Sequence, residues 1–157
     1  IAESSFYAAC LLARNFGIVG QSAQSVRRKM DLVKYHGLAA RCVPAVHMNT
    51  NNLEVLNLFA QDPQRFIDMF TAASRQSIAL GAGALIPGFG AIGSFLGQQG
   101  IHDIDGIPIV DIVAVVIKTA EMLVDLRNLG LHRSRLGMHN YASKEELLAA
   151  RKLYGVE

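Results

Sequence analysis

The fold class of this protein is decided by residues 84–93, Ala84-Leu85-Ile86-Pro87-Gly88-Phe89-Gly90-Ala91-Ile92-Gly93. A short apolar run is followed there by a glycine-rich turn and then by a helix. The same order occurs earlier, where Ile18-Val19-Gly20 precedes a polar segment and a helical pattern. Short, continuous apolar runs between turns are typical of parallel strands that are buried on both faces.

Two further apolar runs extend this pattern. The segments Cys42–Val46 and Ile107–Val110 predict strands, and Pro44 indicates that the first of them lies at an edge or ends there. Helical periodicity predicts helices at 3–14, 25–35, 53–60, 63–77, 94–99, 112–126 and 147–154. Strands that alternate with helices predict an α/β fold, with a parallel sheet of about four strands and helices on both faces, of the flavodoxin-like type.

Two helix starts carry strong local signals. Asp62-Pro63 combines an N-cap residue with a proline in the first turn, where the missing N–H costs nothing. Ser143-Lys144-Glu145-Glu146 has the spacing of a capping box, in which serine and glutamate cap each other's backbone N–H groups. Both segments therefore predict where a helix begins.

Composition and charge narrow the class of protein. The chain has 157 residues, 51% of them hydrophobic, and a formal net charge of +2. This length predicts a single domain over residues 1–157. The basic residues form no stripe interleaved with aromatic residues, so we expect no nucleic-acid partner. Residues 76–101 carry no charge, but their seven glycines favour a strand, a turn and a short helix over a membrane span.

The two cysteines, Cys10 and Cys42, match neither a metal-ligand nor a disulfide spacing. Buried cysteine behaves as a small hydrophobic residue, so we expect both thiols to pack rather than to react. The lack of a disulfide framework fits a reducing, cytoplasmic setting. The first residues, Ile1–Ser5, also lack the basic region of a signal peptide.

One acidic segment invites a metal interpretation. His102-Asp103-Ile104-Asp105-Gly106 resembles the start of a calcium-binding loop, but the remaining ligands of such a loop do not follow. A solvated turn before the next strand is therefore the interpretation that we favour, and we expect no bound metal. His47, His132 and His139 have no carboxylate at a spacing that indicates an acid–base pair.

In a parallel sheet the ligand site lies beyond the carboxyl ends of the strands. At one such end, Gln21, Ser22 and Ser25 lie between a strand and a helix N-terminus. Free backbone N–H groups and serine hydroxyls there would suit a carboxylate, an imide oxygen or a phosphate. Ordinary helix capping by the same serines is the alternative.

The segment Gly88–Gly93 matches the pattern G-x-G-x-x-G after a strand, and Asp111 follows Gly93 by 18 residues at the end of the next strand. In a dinucleotide site, such glycines let the backbone approach a pyrophosphate and the acid binds ribose hydroxyls. Asp111 could instead cap the long helix that follows it, or face the ligand, and the two roles are compatible.

Several stretches together, in the same order along the chain, resemble the aspartate/glutamate/hydantoin racemase superfamily, in its hydantoin racemase-like branch. They are Ile1–Ser5 (the start of a mid-chain helix), Phe16–Val19 with Gln21–Ser25 (a strand and its anion loop), Gly81–Gly88 (the strand before the second catalytic cysteine), Ile107–Asp111 (the next strand and its acid) and Leu129–Ser134 (the tail).

The resemblance implies a cofactor-independent reaction at two cysteines, in which one thiolate removes an α-proton and the other thiol returns a proton from the opposite face. The second cysteine of the superfamily falls at Phe89, or at Ala82 if the alignment shifts, and the first would lie upstream of Ile1. We therefore expect a chain that lacks both catalytic cysteines and the N-terminal part of a longer, two-lobed protein. A single remaining base would support a decarboxylation or a one-sided isomerisation.

Three hypotheses follow. The first is a cofactor-independent racemase- or isomerase-type enzyme that acts at a carbon alpha to a carboxylate or imide, in an amino-acid or hydantoin-like substrate. The second is a Rossmann-like nucleotide-binding module that uses Gly88–Gly93, and the third is a non-catalytic ligand-binding protein of the same fold. We expect a homo-oligomer, because the apolar content suggests surface that a partner covers. For the first hypothesis, the substrate-binding residues would be Gln21, Ser22, Ser25, Gly88, Phe89, Gly90 and Asp111.

Overall fold

A computed structural model describes residues 2–132 and 142–155. Helices and strands alternate along much of the chain, as the sequence predicts. The elements are α1 (Ala2–Leu12), β1 (Gly17–Gly20), α2 (Ala23–Tyr35), a 3₁₀ turn (Ala39–Arg41), β2 (Val46–His47), α3 (Asn52–Gln61), α4 (Pro63–Ala79), β3 (Leu85–Pro87), α5 (Gly90–Gln98), β4 (Asp103–Ile104), β5 (Ile107–Pro108), α6 (Ile112–Asn128) and α7 (Lys144–Leu153).

The main sheet has three parallel strands in the order β2-β1-β3. Val19 pairs with Val46 on one side and with Pro87 on the other, so β1 is the central strand. The crossovers that connect these strands contain helices, as parallel neighbours require. The prediction of an α/β fold with a parallel sheet flanked by helices is confirmed.

The second and fourth predicted strands differ from the observed ones. β2 is confined to Val46–His47, and Cys42 forms only an isolated bridge with Phe16. Near the fourth predicted strand, Ile107–Pro108 turns back on Asp103–Ile104 as an antiparallel hairpin, and only then does Ile109 bridge to Leu85 in parallel. The hairpin takes up the backbone groups of Ile107 and Pro108, so just the end of that segment reaches the sheet.

Side chains of β1 and β3 alternate between two cores. Ile18 and Ile86 face the cluster that contains Phe6 of α1, whereas Val19 and Leu85 face the cluster around α4. Successive residues of a strand point to opposite faces, so this alternation is what a sheet covered on both sides requires. The continuous apolar runs in the sequence therefore reflect two cores that share one thin sheet.

The core on the α4 face is rich in aromatic rings. Phe66 meets Phe59 and Phe95 edge to face, with ring centroids 4.7 Å and 5.5 Å apart, and Phe59 stacks on Phe95 at 4.1 Å. Such aromatic pairs add stabilisation beyond the area that they bury. This cluster joins α3, α4 and α5 on one side of the sheet.

Side chains cap several helices where the sequence predicts it. The Asp62 side chain accepts from the N–H of Arg65 at 3.1 Å, and Pro63 follows at the first position of α4. Ser143 and Glu146 form a complete capping box at the start of α7. The helix α5 begins earlier than predicted, at Gly90 rather than Ser94, and its buried residues Ile92 and Gly93 lie in the part predicted as a turn.

The described residues group into two compact units, Ile1–Ala120 and Glu121–Glu157. The first unit contains every strand named above, and the second contains α7. The predicted single domain stays a prediction, because a grouping by contacts does not test which segments fold together. His139 and the end of the Leu129–Ser134 segment lie outside the described residues.

The charge-free segment 76–101 contains the end of α4, then β3 and α5. Across residues 2–132 and 142–155, no helix has both the length and the apolar character that crossing a membrane requires. The predicted strand, turn and short helix are confirmed for this segment.

Two glycines bring the ends of β1 and β3 together. A Cβ atom on Gly88 would lie 2.8 Å from the Cα atom of Gly20, which is closer than real side chains approach a backbone. A Cβ atom on Gly20 would lie 2.6 Å from Cγ2 of Val26 in α2. The backbone N–H of Gly88 also donates to the carbonyl oxygen of Val19 at 2.8 Å. A side chain at Gly88 would therefore push the two strand ends apart, and a side chain at Gly20 would displace Val26 of α2.

We predict that Gly88→Ala lowers the free energy of unfolding by about 1–3 kcal/mol, because the added methyl group collides with the Gly20 backbone. Urea unfolding followed by circular dichroism would measure this change. The matched control is Gly97→Ala in α5, where a Cβ atom meets nothing within 4 Å. That variant should be more stable than the wild type by up to about 1 kcal/mol. Equal effects of the two substitutions would contradict the contact.

Candidate functional site

The candidate site lies at the carboxyl edge of the sheet. β1 ends at Gly20 and β3 at Pro87, and the contact between Gly20 and Gly88 makes the two following loops start side by side. The helices α2 and α5 begin directly after these loops. Their N-termini therefore lie at the edge where ligands bind in parallel sheets.

The polar residues after β1 largely satisfy one another. The Ser25 hydroxyl donates to Oε1 of the buried Gln21 at 2.9 Å, and Nε2 of Gln21 donates to Oδ1 of Asn52. Ser22 is the N-cap of α2, and its Oγ accepts from the N–H of Ser25 at 3.2 Å. The capping alternative is thus confirmed for Ser22, and a role in binding a substrate stays a prediction for all three predicted loop residues.

Asp111 caps the helix that follows it. Its Oδ1 accepts from the N–H groups of Val113 at 2.9 Å and Ala114 at 3.3 Å, in the first turn of α6. A Cβ atom on Gly93 would lie 3.2 Å from the same oxygen, so this glycine lets Asp111 approach α5 closely. The last glycine of the G-x-G-x-x-G pattern therefore has a packing role, and the capping role predicted for Asp111 is confirmed.

The start of α5 differs from the starts of α2 and α6. Its N-cap residue is Phe89, and no side chain caps the helix there. Gly90 is the first helical residue, and it is only partly buried. The first N–H groups of a helix lack partners within the helix and carry a partial positive charge. Oxygen atoms of a bound anion would suit this position.

A cavity of about 260 Å³ opens at this helix N-terminus. Three of the predicted site residues, Gly88, Phe89 and Gly90, line it, whereas Gln21, Ser22, Ser25 and Asp111 are not among its lining residues. The structure thus places the predicted residues at one edge of the sheet, but only those of the loop after β3 line the cavity. The other walls are mostly apolar and come from Ala2, Phe6, Ile18, Pro87, Ile86, Ile112 and Val113, together with Ser5 and Lys29.

Sequence reasoning missed Lys29. It lies in the basic segment Arg27-Arg28-Lys29, which we interpreted as one exposed helix face. Arg27 and Arg28 are indeed exposed, but Lys29 is half-buried and lines the cavity. The spacing along the helix could have indicated this partly buried position, because Lys29 lies between Val26 and Val33 on the buried side of α2.

The cysteines lie at the opposite edge of the sheet. Cys42 bridges to Phe16, which precedes β1, and its Sγ lies 3.7 Å from Sδ of Met30. Arg41 donates to the carbonyl oxygens of Cys10 at 3.0 Å and Ala13 at 2.8 Å, which ties the end of α1 to the segment that holds Cys42. Burial, with a smaller contribution from the nearby Cys10, raises the pKa of the Cys42 thiol from 9.0 to about 12. The prediction that both cysteines pack is confirmed.

Within the acidic segment 102–106, Asp103–Ile104 is the strand β4, and Asp105-Gly106 forms a tight turn that leads into β5. Asp105 and Gly106 have φ angles of 52° and 80°, and the N–H of Gly106 donates to Oδ1 of Asp103 at 3.0 Å. Asp105 forms two hydrogen bonds with Arg75, and the bond from that guanidinium lowers the pKa of the Asp105 carboxyl. The turn interpretation is confirmed. Within the described residues, no group of three or more potential ligands could hold a metal ion.

Known proteins that are similar to this chain include three racemases. The chain is 30% identical over 156 residues to a hydantoin racemase from Pseudomonas sp. (strain NS671), and the alignment covers 99% of this chain and 59% of that protein. Its fold matches an allantoin racemase from Klebsiella pneumoniae (TM-score 0.66, 18% identity) over 94% of this chain and 59% of that one. An allantoin racemase from Pseudomonas fluorescens also matches (TM-score 0.63, 21% identity, 90% and 59%). No family model matches the chain.

The sequence resemblance to a racemase is thus supported by a hydantoin racemase relative, and the fold by two allantoin racemase structures. The chain spans 59% of the length of each of these proteins. At identities of 18% and 21%, the structural matches establish the fold alone.

We predict that Cys42 resists alkylation at pH 8, because its raised pKa keeps the thiol protonated. Iodoacetamide treatment followed by peptide mass spectrometry should find Cys42 unmodified in the native protein and modified in urea. Since the pKa is higher in the folded state, this thiol costs no stability below pH 9.0, and stability falls as pH rises from there towards about 12. Rapid alkylation of native Cys42 would contradict the burial.

Proposed function

We propose that this chain is part of a cofactor-independent enzyme of the racemase or isomerase type, which acts at a carbon alpha to a carboxylate or imide. The observation that carries this proposal is the uncapped N-terminus of α5, which opens at Gly88-Phe89-Gly90 into the 260 Å³ cavity. The relationship to hydantoin racemase supports it independently. The substrate would be an amino-acid or hydantoin-like molecule.

The chemistry follows from the charge that develops during the reaction. Removal of an α-proton moves negative charge onto the oxygen of the neighbouring carboxylate or imide. The N–H groups at the start of α5 have no side-chain cap, and fixed donors of this kind stabilise an oxyanion. Gly88 and Gly90 lack side chains that would cover these donors. We assign the binding of the substrate's oxygen atoms to this turn.

The loop after β1 would complete the site from the neighbouring strand. Gln21 and Ser25 are held by hydrogen bonds to each other, so their polar atoms are already oriented. Ser22 accepts one hydrogen bond as a helix cap, and its hydroxyl hydrogen remains able to donate. Asp111 uses Oδ1 for capping, so Oδ2 would be the atom that faces a ligand. These four residues are proposed to bind the parts of the substrate that do not react.

Phe89 stands where the superfamily resemblance expects the second catalytic thiol. A phenyl ring can neither remove nor return a proton, so this position supplies no acid or base. Phe89 instead lines the cavity and would limit the space on one face of the reacting carbon. The chain alone therefore supports binding and charge stabilisation, and the third hypothesis, a non-catalytic ligand-binding protein, stays open as the alternative.

The test is to restore the thiol. We predict that Phe89→Cys raises the rate at which the protein exchanges the α-proton of L-leucine or of 5-(2-methylpropyl)hydantoin with D₂O, measured by NMR. A positioned acid–base group typically contributes about 10²–10⁴-fold, so an increase of at least about tenfold is expected. The two compounds share a side chain and differ in presenting a carboxylate or an imide.

The matched control is Ser94→Cys, which adds a thiol to the same helix at a residue that does not line the cavity. Exchange by this variant should equal that of the wild type. If Phe89→Cys and Ser94→Cys exchange the proton at the same rate, the enzymatic proposal fails. Ligand binding without exchange in every variant would favour the non-catalytic alternative.

A nucleotide-binding role is the second candidate, because Gly88–Gly93 follows β3 and leads into a helix N-terminus. One feature weakens it: Gly93, the last glycine of the pattern, makes room for Asp111, which accounts for this glycine without a pyrophosphate. Titration with NADH, followed by its fluorescence, separates the two functions. Micromolar binding that Gly90→Val abolishes would favour the nucleotide, and no fluorescence change would favour the proposed enzyme.

A further inference from the structure

The cavity at the start of α5 is apolar apart from two side chains. Phe6, Ile18, Ile86 and Ile112, which form part of its walls, are each at most 8% exposed. Walls of this kind favour a ligand with a hydrocarbon body, because burying apolar surface releases free energy whereas burying an unpaired polar group costs it. A ligand with polar groups along its whole length would leave some of them unpaired.

Lys29 is the only charged residue among those that line the cavity. In the part of the chain that the structure describes, it forms neither an ion pair nor a hydrogen bond. Its hydrocarbon stem can lie along the apolar wall while the ammonium group stays at the mouth, as lysine commonly does. A partly desolvated cation beside apolar walls attracts an anion more strongly than a cation in bulk water does.

The size of the cavity limits what can enter. A cavity of about 260 Å³ lies just below the usual range of roughly 300–1,000 Å³ for ligand pockets, which favours a small ligand. This corresponds to a small branched aliphatic chain with one terminal polar group. Beyond Lys29, Ser5 and the N–H groups at the start of α5, the residues that line the cavity offer no partner to a second charged group.

We infer that this cavity selects a small apolar monocarboxylate, whose carboxylate is held by the Lys29 ammonium together with the N–H groups at the start of α5, and whose hydrocarbon body lies between α1 and the end of β3. The inference rests on the proposed function and narrows its ligand from a carboxylate or imide to a carboxylate with an aliphatic side chain. Lys29 is in this view a specificity-determining residue. It would not transfer protons.

The test compares three probes of similar size on the wild-type chain. Binding of 4-methylpentanoate, its neutral amide 4-methylpentanamide and the dicarboxylate glutarate would be measured by NMR titration of the protein. We expect the monocarboxylate to bind about tenfold more tightly than the amide, since a hydrogen bond to a charged group is worth about 1.5–3 kcal/mol. Glutarate should bind more weakly than 4-methylpentanoate.

Two variants locate the effect. Lys29→Gln should weaken 4-methylpentanoate about tenfold and leave the amide nearly unchanged, whereas Lys29→Arg should retain the preference. The matched control Arg28→Gln removes the same charge from an exposed position of α2 and should change nothing. The comparison of acid and amide on the wild type needs no variant, so the inference stays testable if a variant does not fold.

Equal binding of acid and amide by the wild type would overturn the inference, as would tighter binding of glutarate or an unchanged affinity in Lys29→Gln. An equal loss in Arg28→Gln would also overturn it, because it would assign the effect to net charge. These are binding measurements, and the proposed function is tested by proton exchange. A negative binding result therefore overturns the inference about Lys29, and a negative proton-exchange result overturns the proposed enzyme activity.

Discussion

The close approach of Gly20 and Gly88 is the constraint on which the site depends. With no Cβ atom between them, the ends of β1 and β3 can lie near enough for the N–H of Gly88 to reach the carbonyl oxygen of Val19. Both loops then leave the sheet at the same point. The absence of a side chain on Gly20 also lets Val26 bring the start of α2 over the strand end. The absence of side chains on these two glycines thus positions the N-termini of α2 and α5.

Most of the fold could be predicted from the sequence because its signals are local. Apolar runs marked β1 and β3, and capping residues such as Asp62 and Ser143 marked helix starts, since both depend on neighbours within a few residues. The segment 107–110 was harder. Its first half pairs with Asp103–Ile104 and its second half with Leu85, and a choice between two partners distant in sequence cannot be read from an apolar run.

The site was only partly predictable for a related reason. The edge of the sheet where ligands bind follows from strand order, so the loops at Gln21 and Gly88 could be named in advance. The cavity could not, because its walls come from α1, α2, β3 and the start of α6. Lys29 lies in α2, and it lines the cavity only because α2 packs against the sheet. Conversely, Ser22 and Asp111 proved to be helix caps, which sequence alone leaves undecided.

The division of the sheet into two faces has an evolutionary consequence. The cavity borders the core that contains Phe6, Ile18 and Ile86, whereas the stacked rings of Phe59, Phe66 and Phe95 lie in the other core. Changes at separated sites without shared contacts tend to act additively. Mutations in the aromatic cluster can therefore change the melting temperature largely independently of ligand choice, except at Phe89, which lines the cavity and also packs against the aromatic core. Because the three-stranded sheet separates the two cores, thermal stability and ligand choice can change in evolution through different residues.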